Sequence, residues 1–262
     1  VRPELGSVLE QLIYPVLGVL LYVTFLQVPF VKLRRAFTHG RFMAAALSMN
    51  FLVVPVVVWG LTRVLPQEPA ILLGVFMVLL TPCIDYVIVF TDLGGGDAEQ
   101  ITAATPVLML AQLLLLPMYL WLFMGERVID VISAGPFLEA FFLLIALPLG
   151  LAWATEIWAD RRPSGARWES AMEWLPVPML GLTLLVVVAS QIPRVEGSFE
   201  QIAVVVPVYV GFLVVMPLLG RLAAGVFGLD LGPSRALVFT SVTRNSLVIL
   251  PLALALPAGW EL

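Results

Sequence analysis

The chain has 262 residues, of which 61% belong to the set Ala, Val, Ile, Leu, Met, Phe, Trp, Tyr and Cys, and 12% are charged. So few charged side chains cannot cover a water-soluble fold of this length, so the outer surface is apolar and faces lipid. A net charge of −4 and a single cysteine exclude a nucleic-acid binder, a disordered tail and a disulfide scaffold.

A hydrocarbon core takes about 20 apolar residues to cross. Eight runs meet that length: Val8–Phe30, Phe42–Leu61, Ile71–Thr91, Ile101–Phe123, Phe137–Trp158, Leu175–Ile192, Ile202–Leu222 and Arg235–Leu256. The fold class expected is therefore an all-α polytopic membrane protein with no soluble domain. Lys32, Arg34, Arg35, Arg41, Arg161, Arg162, Arg167, Arg221 and Arg235 fall on one side, and Arg2, Arg63, Arg127 and Arg194 on the other. The excess of basic residues makes loops 31–41, 92–100, 159–174 and 223–234 cytoplasmic in an inner or plasma membrane. The chain then starts outside. Val1-Arg2-Pro3-Glu4 does not read as a signal peptide, and one further span upstream is expected. Prolines recur inside the runs, from Pro15 to Pro251, and read mainly as kinks.

Polar atoms at membrane depth are few. Asn50 lies in the second run, five residues before Pro55, and Gln112 in the fourth. Both read first as interhelical glue and second as ligands. The third run carries Thr81-Pro82-Cys83-Ile84-Asp85 and the eighth carries Thr243-Arg244-Asn245-Ser246. Asp85 and Arg244 are opposite charges, each costing about 2.5–3.5 kcal/mol alone at mid-membrane, so pairing is expected. Two polar, helix-breaking clusters in antiparallel spans point to the solute site of a secondary transporter. Cys83 reads as a small buried hydrophobe or, beside the break, as a contact for a thiophilic solute. Glu10, Glu139 and Glu156 lie near span ends and reach the interface. No metal-ligand spacing is present, and no cofactor is implied. Gly94-Gly95-Gly96-Asp97 lacks the Lys-Ser/Thr of a phosphate loop. Its Gly-x-Gly-Asp order resembles an intramembrane aspartyl protease, but a loop aspartate cannot share a proton with Asp85. The plain reading is a cytoplasmic turn, and no enzyme is expected.

Cys83-Ile84, Asp92-Leu93 and Gly96-Asp97 resemble the signature of the arsenite-efflux permeases, within the bile acid/sodium symporter superfamily. Asn50 with Pro55, Gln112, and Thr243-Arg244-Asn245-Ser246 are similar to that family's pattern. The resemblance implies ten helices in two inverted five-helix repeats, eight of them in this chain, with the third and eighth runs interrupted and crossing. Runs 8–30, 137–158 and 175–192 would form a moving panel. Runs 42–61, 71–91, 101–123, 202–222 and 235–256 would form a core. It further implies efflux of arsenite or a related metalloid by proton antiport. Cys83, Thr81, Asn245, Ser246, Asn50 and Gln112 would bind the substrate, Asp85 and Arg244 would couple the ion, and Pro82 and Thr243 would mark the breaks. Leu247 stands where those permeases carry a Glu, which moves the carboxylate to the other crossing helix. The alternative is a sodium- or proton-coupled carrier of a small organic anion, with Arg244 as the anion contact. On either reading the partners are a small solute, a coupling ion and the bilayer, with the proton favoured over sodium and no nucleic acid.

Overall fold

A computed structural model describes residues 3–28, 39–84, 86–125, 142–195, 199–246 and 249–250. Every regular element formed by the described residues is a helix, and no β-strand occurs among them. The chain divides into two compact units, one of residues 1–31 with 134–202, the other of residues 32–133 with 203–262.

In the first unit, α1 (Pro3–Phe25) packs on α7 (Leu147–Arg161) and α9 (Pro176–Val195), with α8 (Pro163–Met172) folded against α7. Leu17, Leu20, Leu21 and Phe25 of α1 are buried. A π-helical turn, Phe142–Ala146, leads into α7 two residues before Pro148. Proline supplies no N–H and its ring crowds the carbonyl four residues back, and the wider turn accommodates both. The stretch 159–174, expected to be a loop, is instead the end of α7 and all of α8. Arg162 is extended, Pro163 starts the new helix, and Gly165 sits where a Cβ would lie 2.6 Å from the Trp158 carbonyl carbon. Only glycine permits that tight reversal.

In the second unit, α2 (Gly40–Ser48), the π-turn Met49–Val53, α3 (Val54–Leu61) and the 3₁₀ turn Thr62–Val64 form one rod. The π-turn again ends two residues before a proline, Pro55. Pro55 leaves the Phe51 carbonyl without its helical donor, and the Tyr119 hydroxyl donates to that carbonyl. Pro106 leaves the Thr102 carbonyl in the same position, and the Thr105 hydroxyl donates to it at 2.8 Å. Then follow α4 (Pro69–Leu79), α5 (Tyr86–Leu93), α6 (Ala98–Met124), α10 (Phe199–Val226) and α11 (Leu231–Val242). Asp97 caps α6: its carboxylate accepts from the Gln100 amide N–H at 2.9 Å and from Gln100 Nε2 at 3.0 Å. The turn expected at 92–97 is thus present, with Asp97 as its helix cap. One face of α10, with Val206, Val210, Leu213, Val214 and Leu218, is exposed, as a lipid-facing helix requires.

Among the described residues, four helical stretches are long and apolar enough to cross a bilayer: Gly40–Val64, Ala98–Met124, Phe142–Arg161 and Ala203–Val226. The pair Pro163–Met172 and Pro176–Ala189, bent by 46°, makes a fifth if it is one span. The eight runs read from the sequence therefore do not appear as eight continuous rods. The third run stops at Leu79 and resumes at Tyr86, so each half is short. The eighth stops at Val242, and most of its remainder lies outside the described residues.

Candidate functional site

The site lies in the second unit, where the third and eighth apolar runs each leave helical geometry part-way. After α4 the backbone runs irregularly through Thr81–Ile84, and after α11 it runs extended through Thr243 and into Arg244. The two breaks pair as an antiparallel bridge between Pro82 and Arg244. The Cys83 N–H donates to the Thr243 carbonyl at 3.2 Å, and the Asn245 N–H donates to the Thr81 carbonyl at 2.9 Å. Backbone groups released by a broken helix have no water partner in lipid, and the second break supplies what the first lacks.

Both helices present their C-terminal ends to this crossing, so orphan carbonyls and two negative dipole ends converge there. Arg244 answers them. Its Nη2 donates to the Thr240 carbonyl at 2.9 Å, to the Ser241 carbonyl and to Asn50 Oδ1 at 3.1 Å. Nη1 reaches the Leu79 carbonyl, at the end of α4, at 3.5 Å. The guanidinium carbon lies 5.3 Å from the centroid of the Phe212 ring. Arg244 Nε is buried and has no hydrogen-bond partner among the described residues. Asn50, fully buried in the π-turn, completes the link through its amide nitrogen, which donates to the Ala46 carbonyl at 3.0 Å and the Thr240 hydroxyl at 3.3 Å.

Of the residues expected at the site, Asn50, Thr81, Pro82, Cys83, Thr243, Arg244 and Asn245 come together at this crossing. The Thr81 and Thr243 hydroxyls turn back on their own helices, donating to the Met77 carbonyl at 2.7 Å and the Phe239 carbonyl at 2.8 Å. Their backbone carbonyls, not their hydroxyls, join the breaks. Cys83 is buried and Ser246 is exposed. Asp85 lies outside the described residues, so its expected pairing with Arg244 does too. Gln112 is buried on α6 with both amide atoms unpartnered among the described residues. No group of metal-binding side chains occurs among the described residues.

Two features escaped the sequence reading. The three glycines 94–96 let α11 approach the turn after α5. A Cβ on Gly94 would meet the Phe239 ring at 2.3 Å, and one on Gly95, whose φ is +64°, would meet Arg235 Nη1 at 2.6 Å. Arg235 donates to the Gly94 and Gly95 carbonyls, and the Asp97 N–H donates to the Gly232 carbonyl at 3.0 Å. The start of α11 is therefore fastened to the turn after α5, and the residues after its end to the first break. The signal was the run of glycines, read as a turn rather than as a contact. In the first unit, Trp168 Nε1 donates to the Tyr22 hydroxyl at 3.1 Å, and that hydroxyl bonds the Thr155 hydroxyl at 3.1 Å. These three are among the residues that line an otherwise apolar cavity of about 440 Å³.

Apolar helices of spanning length, with a pair of helix breaks bridged to each other around a cation, define a polytopic membrane protein with an internal polar site. The chain matches the Sodium Bile acid symporter family over residues 14–198, more than half its length, and belongs to that family. The family is one of transporters rather than enzymes, so the chain's partners are a small solute, a coupling ion and the membrane. The matched stretch includes the Thr81–Ile84 break and ends before the Thr243–Ser246 break. No curated protein matches the chain significantly.

Proposed function

We propose that the chain carries a small organic anion across the membrane by alternating access, binding it at the crossing of the two breaks. The observation that carries this reading is Arg244. It is a permanently charged side chain at a helix break, and its buried Nε–H has no partner among the described residues. A carboxylate or sulfonate takes such a donor with a charge-assisted bond. Within this reading the fold is a ten-helix inverted repeat of which eight helices belong to this chain. The first unit acts as the panel and the second as the core, and stretches 31–41, 92–100, 159–174 and 223–234 face the cytoplasm. Asn50 orients Arg244, and Gln112, Asn245 and Ser246 supply polar contacts along the path.

A second reading, efflux of arsenite or a related metalloid in exchange for a proton, draws on Cys83. Its thiol belongs to the residue whose N–H holds the second break, where a thiophilic solute would meet sulfur. Asp85 would carry the proton. The protein reconstituted in proteoliposomes separates the two. Counterflow of organic anions, with arsenite inert, supports the first reading. Proton-driven arsenite flux, with every anion inert, replaces it with the second.

A further inference from the structure

The oxygen atoms around Arg244 form a cage of the kind that holds a cation. Three oxygens, from Asn50, Thr240 and Ser241, converge on Nη2, which has only two hydrogens to give. A fourth, from Leu79, lies at 3.5 Å from Nη1. Three of the four are main-chain carbonyls in the last turns of two half-helices, where orphan carbonyls and the negative ends of two dipoles meet. Phe212 adds the negative face of an aromatic ring. More acceptors than Nη2 has hydrogens, two helix C-termini and a ring face are arranged around positive charge as such, not around one hydrogen-bond geometry. Unwound carbonyls and half-helix C-terminal ends are the groups with which secondary transporters coordinate a coupling sodium ion.

We infer that the Arg244 guanidinium is a tethered cation, permanently filling a cage that would otherwise bind a free monovalent cation, so that this chain moves its solute without sodium at that place. The inference rests on the transport reading above and deepens it. A covalently attached cation needs no binding from solution and cannot be released, so the crossing keeps its positive charge in every state of the cycle. The solute then meets a fixed charge through the uncommitted Nε–H, while the cage oxygens satisfy the far side of the guanidinium. The family match carries the opposite expectation, which gives the inference its content.

The test uses the protein in proteoliposomes and, as probes, radiolabelled small carboxylates and sulfonates, bile acids among them. Counterflow in sodium chloride is compared with counterflow in choline chloride. The inference expects no loss of rate on removing sodium, and a collapse of counterflow in choline overturns it. Absence of counterflow in both salts sinks the transport reading itself, a distinct outcome. The variant Arg244→Ala then empties the cage. Its melting temperature in detergent is expected to rise when guanidinium or sodium is added, while that of the wild type stays unchanged. A variant that melts identically with and without either cation overturns the cage. If that variant does not fold, the wild-type comparison of the two salts still decides.

Discussion

Tyr119→Phe removes one hydroxyl and probes how this fold tolerates proline at membrane depth. The hydroxyl donates to the Phe51 carbonyl, the group left without a helical donor by Pro55. Tyr119 is 8% exposed and Phe51 5%, so no solvent replaces the lost donor. An unsatisfied buried acceptor costs about 1–3 kcal/mol, whereas interhelical hydrogen bonds in membranes average about 0.6 and reach about 1.7. The expected cost is therefore about 1–2 kcal/mol, or about 5- to 30-fold in the unfolding equilibrium. Pro55→Ala restores an N–H one turn after Phe51. In that background the carbonyl has a backbone donor again, and Tyr119→Phe is expected to cost less by about 1 kcal/mol. Reversible unfolding in mixed micelles, run on the four proteins of the cycle, measures the difference. Equal cost of Tyr119→Phe in the wild-type and Pro55→Ala backgrounds would show that the hydroxyl does not serve the carbonyl released by the proline.

Other substitutions test the remaining contacts. Gly95→Ala forces a left-handed backbone on a residue with a Cβ that points at Arg235, and is expected to destabilise by at least about 1–2 kcal/mol in the same assay. An unchanged unfolding curve refutes the close approach of the glycine turn to α11. Asp97→Ala removes the cap of α6 and is expected to cost about 0.5–2 kcal/mol, with Asp97→Asn largely spared. Asn50→Leu takes an acceptor from Arg244 and is expected to cost about 1.5–3 kcal/mol. Its cost should shrink in an Arg244→Gln background, and strict additivity would separate the two residues.

The apolar composition settled the environment of the chain before any contact was known, because lipid leaves no other use for such a surface. The breaks were legible too: Thr-Pro-Cys and Thr-Arg-Asn-Ser interrupt apolar runs with residues that stop helices and carry polar atoms. Which atoms join them was not legible. The sequence reading assigned Thr81 to the substrate and Thr243 to the helix break, yet the main-chain carbonyls of both join the two breaks, a matter of backbone direction that residue type does not encode. The reading sought a carboxylate for Arg244 because charge pairs with charge. Asp85 lies outside the described residues; the described partners of the guanidinium are two helix C-termini and an amide, and a convergence of helix ends appears only when the half-helices are placed in space. The π-turns before Pro55 and Pro148 could have been sought at those prolines, since each must leave a carbonyl to be satisfied. The Tyr22, Thr155 and Trp168 chain joins residues more than a hundred positions apart and left no local trace.

Cys83, the single cysteine of the chain, gives the most direct test of the crossing as the solute site. It is buried within the first break, and its N–H bonds the residue beside Arg244. The rate of its alkylation by a small maleimide, measured by mass spectrometry on the protein in proteoliposomes, reports access to that point without any engineered label. The expected result is that the transported anion slows alkylation in a concentration-dependent way in the wild type and has no effect on Arg244→Gln. Alkylation of wild-type Cys83 at one unchanged rate, with and without a saturating transported solute, would contradict a solute site at the crossing.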